Sequence, residues 1–169
     1  MEAGLLPYQN GIFAQTPTPN ITLVQNFSPY SRLATDPVKF ACSFNYTSDT
    51  FSSLSYITLI FKFALSSTAT AGDTTIATIY WNSISSISNG NYSTNISSSY
   101  SLRVAASKVL DTGSYKTYSI TLGVSTYTST PNYYTLSDVG YYYCQLSDST
   151  SVTTTGLLVK LSAYCVTFA

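Results

Sequence analysis

The stretch Asp138-Val139-Gly140-Tyr141-Tyr142-Tyr143-Cys144 decides how this chain is read. Three tyrosines and a cysteine behind a glycine favour an extended strand. A period of two divides the strand into two sets: Tyr142 and Cys144 on one face, Tyr141, Tyr143 and Gln145 on the other. A second cysteine lies far upstream in a segment of the same kind. Over 38–46, Val38, Phe40, Cys42 and Phe44 alternate with Lys39, Ala41, Ser43 and Asn45. Cys42 therefore belongs to an apolar, inward-facing set.

Outward from these two segments the pattern repeats. Strands are expected at 21–26, 55–64, 74–81, 100–105, 115–127, 140–147 and 152–162, besides 38–46. In 55–64, Ile57, Leu59, Phe61 and Phe63 oppose Thr58, Ile60 and Lys62, and Lys62 marks the second face as turned to solvent or to a partner. In 74–81 both faces carry large residues, Ile76 and Tyr80 against Ile79 and Trp81, so periodicity leaves the inward face open. Turns are signalled at Gly72-Asp73, Asn89-Gly90, Asp111-Thr112-Gly113-Ser114 and Thr130-Pro131-Asn132. Residues 1–19 are Pro-rich and irregular, and 83–99, almost all Ser, Asn, Gly and Ile, reads as a loop. Eight to ten short strands, no helix and no repeat make an all-β sandwich or barrel.

The chain has 169 residues, the size of one domain. Only 8% of them are charged and the net charge is zero, which argues against nucleic acid and against an anionic membrane surface as partners. Solubility must come from elsewhere. The chain holds 28 Ser and 25 Thr, and five glycosylation sequons begin at Asn20, Asn26, Asn45, Asn91 and Asn95. Glycans there would supply the missing solvation. Asn26 is the weakest of the five, because Pro29 follows its Ser28.

Catalysis finds little to work with. The chain has no His, its only Glu is Glu2, and its six Asp are scattered. Its three Cys lack the spacing of a zinc site, and no Gly-rich phosphate loop is present. Asp49 and Asp148 belong to no Asp-x-Asp cluster that would mark calcium. The expectation is no enzyme, no cofactor and no metal. No run of about 20 apolar residues would cross a membrane, and Met1-Glu2-Ala3-Gly4-Leu5-Leu6-Pro7 lacks the features of a signal peptide.

The motif Asp138, Gly140, Tyr142 and Cys144, with Cys42 on its inward set, resembles that of variable-type (V-set) immunoglobulin domains. The resemblance covers 20–162 and leaves 1–19 as an irregular segment and 163–169 as a tail leading to a following segment. It implies an immunoglobulin-like β-sandwich with long loop insertions, a Cys42–Cys144 disulfide between sheets and Tyr142 as the tyrosine-corner residue. It also implies that Arg103, at the start of a strand, pairs with Asp138, and that 156–161 is the final strand. The fold class needs an oxidising compartment. The chain is thus expected to be a piece of the extracellular part of a plasma-membrane protein, joined to the membrane only through an anchor outside it. Cys165 is left over, for a bond outside this domain or as a free thiol. Two features depart from the family. The cysteines lie 102 residues apart. The family's Trp, about 12–15 residues after the first Cys, is replaced by Trp81, 39 residues on, so Leu59 or Phe61 must pack on the disulfide. The Tyr, Ser and Thr content and the extra Cys are similar to those of cnidarian allorecognition receptors.

Function follows from the resemblance as recognition. With Tyr142 and Cys144 inward, Tyr141, Tyr143 and Gln145 must face out. Ile60, Lys62, Tyr143, Gln145 and Leu158 are then expected to form one partner-binding patch on the sheet face that the family commonly uses, binding a protein, the same molecule on an opposing cell. No sequon falls in the four strands expected to build that face. Loops at 47–54, 83–90 and 147–151 should cluster at one end. Two other readings stand beside this one: a lectin-like module stacking sugars on Trp81 and exposed Tyr, and a spacer domain of a larger ectodomain.

Overall fold

The alternating segments are strands. The computed structural model describes residues 18–24, 38–45, 56–83, 86–87, 90–101, 103–112, 115–122, 136–148 and 153–161. Among the described residues ten strands run in chain order: β1 (Asn20–Val24), β2 (Val38–Asn45), β3 (Ile57–Ala64), β4 (Thr74–Trp81), β5 (Ser93–Ile96), β6 (Val104–Thr112), β7 (Tyr115–Leu122), β8 (Gly140–Asp148), β9 (Thr153–Thr155) and β10 (Val159–Leu161). They form two antiparallel sheets, a four-stranded one in the order β1-β2-β7-β6 and a six-stranded one in the order β10-β8-β3-β4-β5, with β9 also paired to β8. The fold is an all-β sandwich.

Three expectations are corrected. The stretch 83–99, read as a loop, contains β5. Among the described residues this short strand pairs only with β4, and its first three residues are exposed, so it needs no alternation of apolar residues. The strand expected at 100–105 is displaced: Ser98–Tyr100 is a 3-10 turn and β6 begins at Val104. The expected last strand is split in two around 156–158. Gly156 there donates its N–H to the Cys144 carbonyl at 2.9 Å, and a Cβ on it would collide with the Pro19 carbonyl.

The inner faces meet in one aromatic core. Cys42 and Cys144 are joined by a disulfide between the sheets, with Cα atoms 6.5 Å apart, an ordinary separation for such a bond. Phe61 is the cross-strand neighbour of Cys144 and is fully buried. Trp81 is also fully buried. It meets Phe44 and Tyr118 edge-on, at centroid distances of 5.9 and 5.0 Å. The β3–β4 register settles the open face of β4, placing Ile79 opposite Leu59 and Trp81 opposite Ile57. Phe61 pairs with Ala77 and Lys62 with Thr75, which leaves Ile76 as an extra residue. This bulge lets both Ile76 and Ala77 be buried.

The deciding motif closes the end of the core where β8 begins. A Cβ on Gly140 would lie 2.5 Å from Phe63 Cε2 and 2.8 Å from the Ala64 carbonyl oxygen, so only glycine allows β3 to approach so closely. The Tyr142 hydroxyl donates to the Asp138 carbonyl at 2.6 Å, which is the tyrosine-corner bond. Its ring stacks on Phe40 at 4.1 Å. Arg103 Nη1 meets Asp138 Oδ2 at 2.6 Å, and its guanidinium lies 4.8 Å from the Tyr100 ring centroid. The hydrogen bond to Asp138 raises the Arg103 pKa further. Burial, with the Asp138 charge, pushes the Tyr142 phenol well above its ordinary range.

Candidate functional site

The outer face of the six-stranded sheet is the candidate. Directly opposed residues of antiparallel strands share a face. Ile60 opposes Gln145 and Thr78, while Lys62 opposes Tyr143 and Thr75. Four of the five expected patch residues, Ile60, Lys62, Tyr143 and Gln145, are thus brought together on β3 and β8. Leu158 is not part of that row; it is half-buried in the 156–158 link, between β9 and β10.

Two of these residues are not open, contrary to expectation. Tyr143 has no exposed surface and Lys62 keeps 9% of its own. The cause is the β3–β4 connection, which folds over this end of the face. The Tyr143 hydroxyl donates to Asp73 Oδ2 at 2.7 Å and to the Thr70 carbonyl at 3.4 Å. Asp73 in turn accepts from the Thr70 N–H and the Thr70 hydroxyl, each at 2.7 Å. Desolvation would raise the Asp73 carboxyl, but these bonds from Thr70 and Tyr143, with the charge of Lys62, outweigh it and hold it below its ordinary value. Burial and the bond to Asp73 push the Tyr143 phenol up. An outward side chain is therefore not the same as an accessible one. The compact Thr70-x-x-Asp73 pattern is a local signal for such a self-bonded loop.

What stays open is a neutral face. Ile60, Gln145, Thr58, Thr78 and Ser147 are half-buried, and Tyr56, Tyr80, Thr153 and Thr155 are exposed. Gln145 Nε2 donates to Thr155 Oγ1 at 3.0 Å, and the Ser147 and Thr153 hydroxyls meet at 3.1 Å. The rings of Tyr56 and Tyr80 lie 5.9 Å apart. Among the described residues this open part carries no charged side chain. Lys160, on β10, lies 5.8 Å from the Tyr141 ring and marks one margin. Tyr56, Tyr80 and Thr155 were absent from the expected patch, because their place depends on strand register.

The sequons are placed differently from expectation. Asn95 opposes Thr78, so it lies on this same outer face, on β5. The face is not free of sequons. Asn20 and Asn45 are exposed on the four-stranded sheet, Asn91 is exposed just before β5, and Asn26 lies outside the described residues. Trp81 offers no ring surface to a sugar, since it is fully buried. Asp148 is 4% exposed, while Asp49 and Cys165 lie outside the described residues. Of the three expected end loops, 47–54 lies outside the described residues, as do parts of the other two. Their flanking strand ends do converge: Ile57 opposes both Trp81 and Asp148.

No protein-family model matches this chain, and no curated protein matches it either.

Proposed function

We propose that the chain is a V-set immunoglobulin-like domain from the extracellular part of a cell-surface receptor, and that it binds a second copy of itself on an opposing cell through the open part of the six-stranded sheet. The strand orders support the class. One sheet of four strands, and a second extended at one edge by β4 and β5, is the arrangement of variable-type domains. The Cys42–Cys144 disulfide favours an oxidising, extracellular compartment. Recognition of the allorecognition kind belongs to the same reading.

The observation that carries the proposal is the uncharged open face, with Ile60 at its centre, Tyr56 to one side and a Ser/Thr margin. Such a surface meets its own copy without like-charge repulsion, and a two-fold contact between identical patches closes into a dimer. Tyrosine supplies contact area at low entropic cost. The sequon at Asn95 confines the contact to the β3–β8–β9 side, and it removes one argument against a spacer.

The test is sedimentation of the glycosylated domain over a wide concentration range, beside Ile60→Arg. Ile60 is chosen because Tyr143 is buried and its replacement would disturb the fold. The expected result is a concentration-dependent dimer that Ile60→Arg abolishes with its circular dichroism unchanged. A strict monomer at high micromolar concentration refutes self-recognition.

A further inference from the structure

A small polar cleft opens where β4 hands over to β5. It encloses about 180 Å³ and is lined by Tyr80, Asn82, Ser86, Asn91, Tyr92 and Ser93. Its walls are held in place. Ser86 donates its hydroxyl to Asn82 Oδ1 at 2.8 Å, and the Asn91 N–H donates to the Ser86 carbonyl at 2.8 Å. Gly90, with φ of 69°, makes the left-handed turn that brings Asn91 back to Ser86, and Ile87 is fully buried. Tyr92 is fixed edge-on against Tyr118 at 5.1 Å. Tyr80, 38% exposed, leaves part of its ring open.

All three residues of the sequon Asn91-Tyr92-Ser93 line this cleft. We propose that Asn91 carries an N-linked glycan and that its first sugar ring sits in the cleft against Tyr80. This rests on the extracellular reading above. The chemistry of the cleft fits a pyranose: an aromatic ring to meet the sugar's C–H groups, with amides and hydroxyls to meet its hydroxyls. The size fits one ring, since the clefts that hold drug-sized ligands run to about 300–1,000 Å³. A sugar tethered at Asn91 also has an effective concentration that a free sugar lacks. Attachment joins Asn91 Nδ2 to the anomeric carbon of a lipid-diphosphate-linked oligosaccharide. The lipid diphosphate leaves, and the amide gives up one proton. Asn91 and Ser93 are both exposed, as the modification requires.

The experiment uses the domain secreted from a eukaryotic host. Glycopeptide mass spectrometry reads the occupancy of Asn91. Melting is then compared between protein trimmed to a single N-acetylglucosamine at each site and protein stripped of all sugar. The expected result is an occupied Asn91 and a Tm about 2–4 °C lower on stripping. That loss should disappear in Asn91→Gln and in Tyr80→Ala. Tyr80→Ala separates contact with the sugar from the carboxylate that enzymatic stripping leaves at position 91, whose effect would persist. An empty Asn91 beside other occupied sequons overturns this site while leaving the extracellular reading intact. So does an equal Tm for trimmed and stripped protein, or a loss that persists in either variant. Free N-acetylglucosamine that binds the stripped protein at Tyr80, with Asn91 unoccupied in the secreted form, would assign the cleft to an external sugar and overturn the proposal.

Discussion

Replacing Tyr143 by Phe removes one hydroxyl and leaves a ring that is wholly buried. The hydroxyl's main bond runs to the Asp73 carboxylate at 2.7 Å. A hydrogen bond to a charged group contributes about 1.5–3 kcal/mol. Asp73 is only half-buried, so water recovers part of that, and a net cost of about 0.5–1.5 kcal/mol remains. At about 2–4 °C per kcal/mol for a domain of this size, the Tm should fall by about 1–6 °C. The loss should also depend on pH. Asp73 is held below its ordinary value of 3.8, so its contribution is present above that pH and is lost as pH falls through the folded-state pKa. Tyr143→Phe removes one of the bonds that lower it. The gap between wild type and variant should therefore be full at neutral pH and shrink in acid. Urea unfolding at pH 7 and near pH 2.5 measures the gap, and amide exchange of 65–73 reports whether the connection has loosened. Equal stability with unchanged exchange of 65–73 would refute the latch, as would a gap of the same size at both pH values.

Other consequences follow from the core. Replacing both Cys42 and Cys144 by Ala should cost about 4–5 kcal/mol in the chain-entropy model, a large part of the stability of a domain, and secreted yield or denaturation would show it. Gly140→Ala places a methyl against Phe63 and the Ala64 carbonyl and should destabilise by about 1–3 kcal/mol, read as a lowered denaturation midpoint. Alkali should unfold the domain. The phenols of Tyr142 and Tyr143 are raised above their ordinary value of 10.0, so folding favours their neutral forms. Their contribution is present below that pH and declines as pH rises through it. Melting curves between pH 8 and 11.5 should show the decline, reduced in Tyr142→Phe.

Legibility varied with how local each constraint is. The Cys42–Cys144 pair, Tyr142 as the corner residue and the Arg103–Asp138 contact were readable, because each is carried by residues of a specific motif. The apolar sets of β2 and β3 were readable because a half-buried strand must alternate. The bulge at Ile76 was not, since an extra residue in one strand is defined only by its partner strand. Trp81 fell in that ambiguous segment, and its burial follows from its pairing with Ile57 on β3. β5 was invisible because an exposed edge strand of Ser, Thr and Asn has no apolar pattern to display.

The sequence by itself determined a disulfide-linked sandwich and the face to which most strand residues point, because alternation and motif chemistry act within one strand or one pair of strands. Only the tertiary structure decided what that face offers to a partner. Whether Tyr143 and Lys62 are open depends on a loop bonded back through Asp73. Whether Asn95 shares the face depends on which strand β5 pairs with. Both are contacts between segments distant in the chain or wholly polar, where no hydrophobic periodicity announces the outcome.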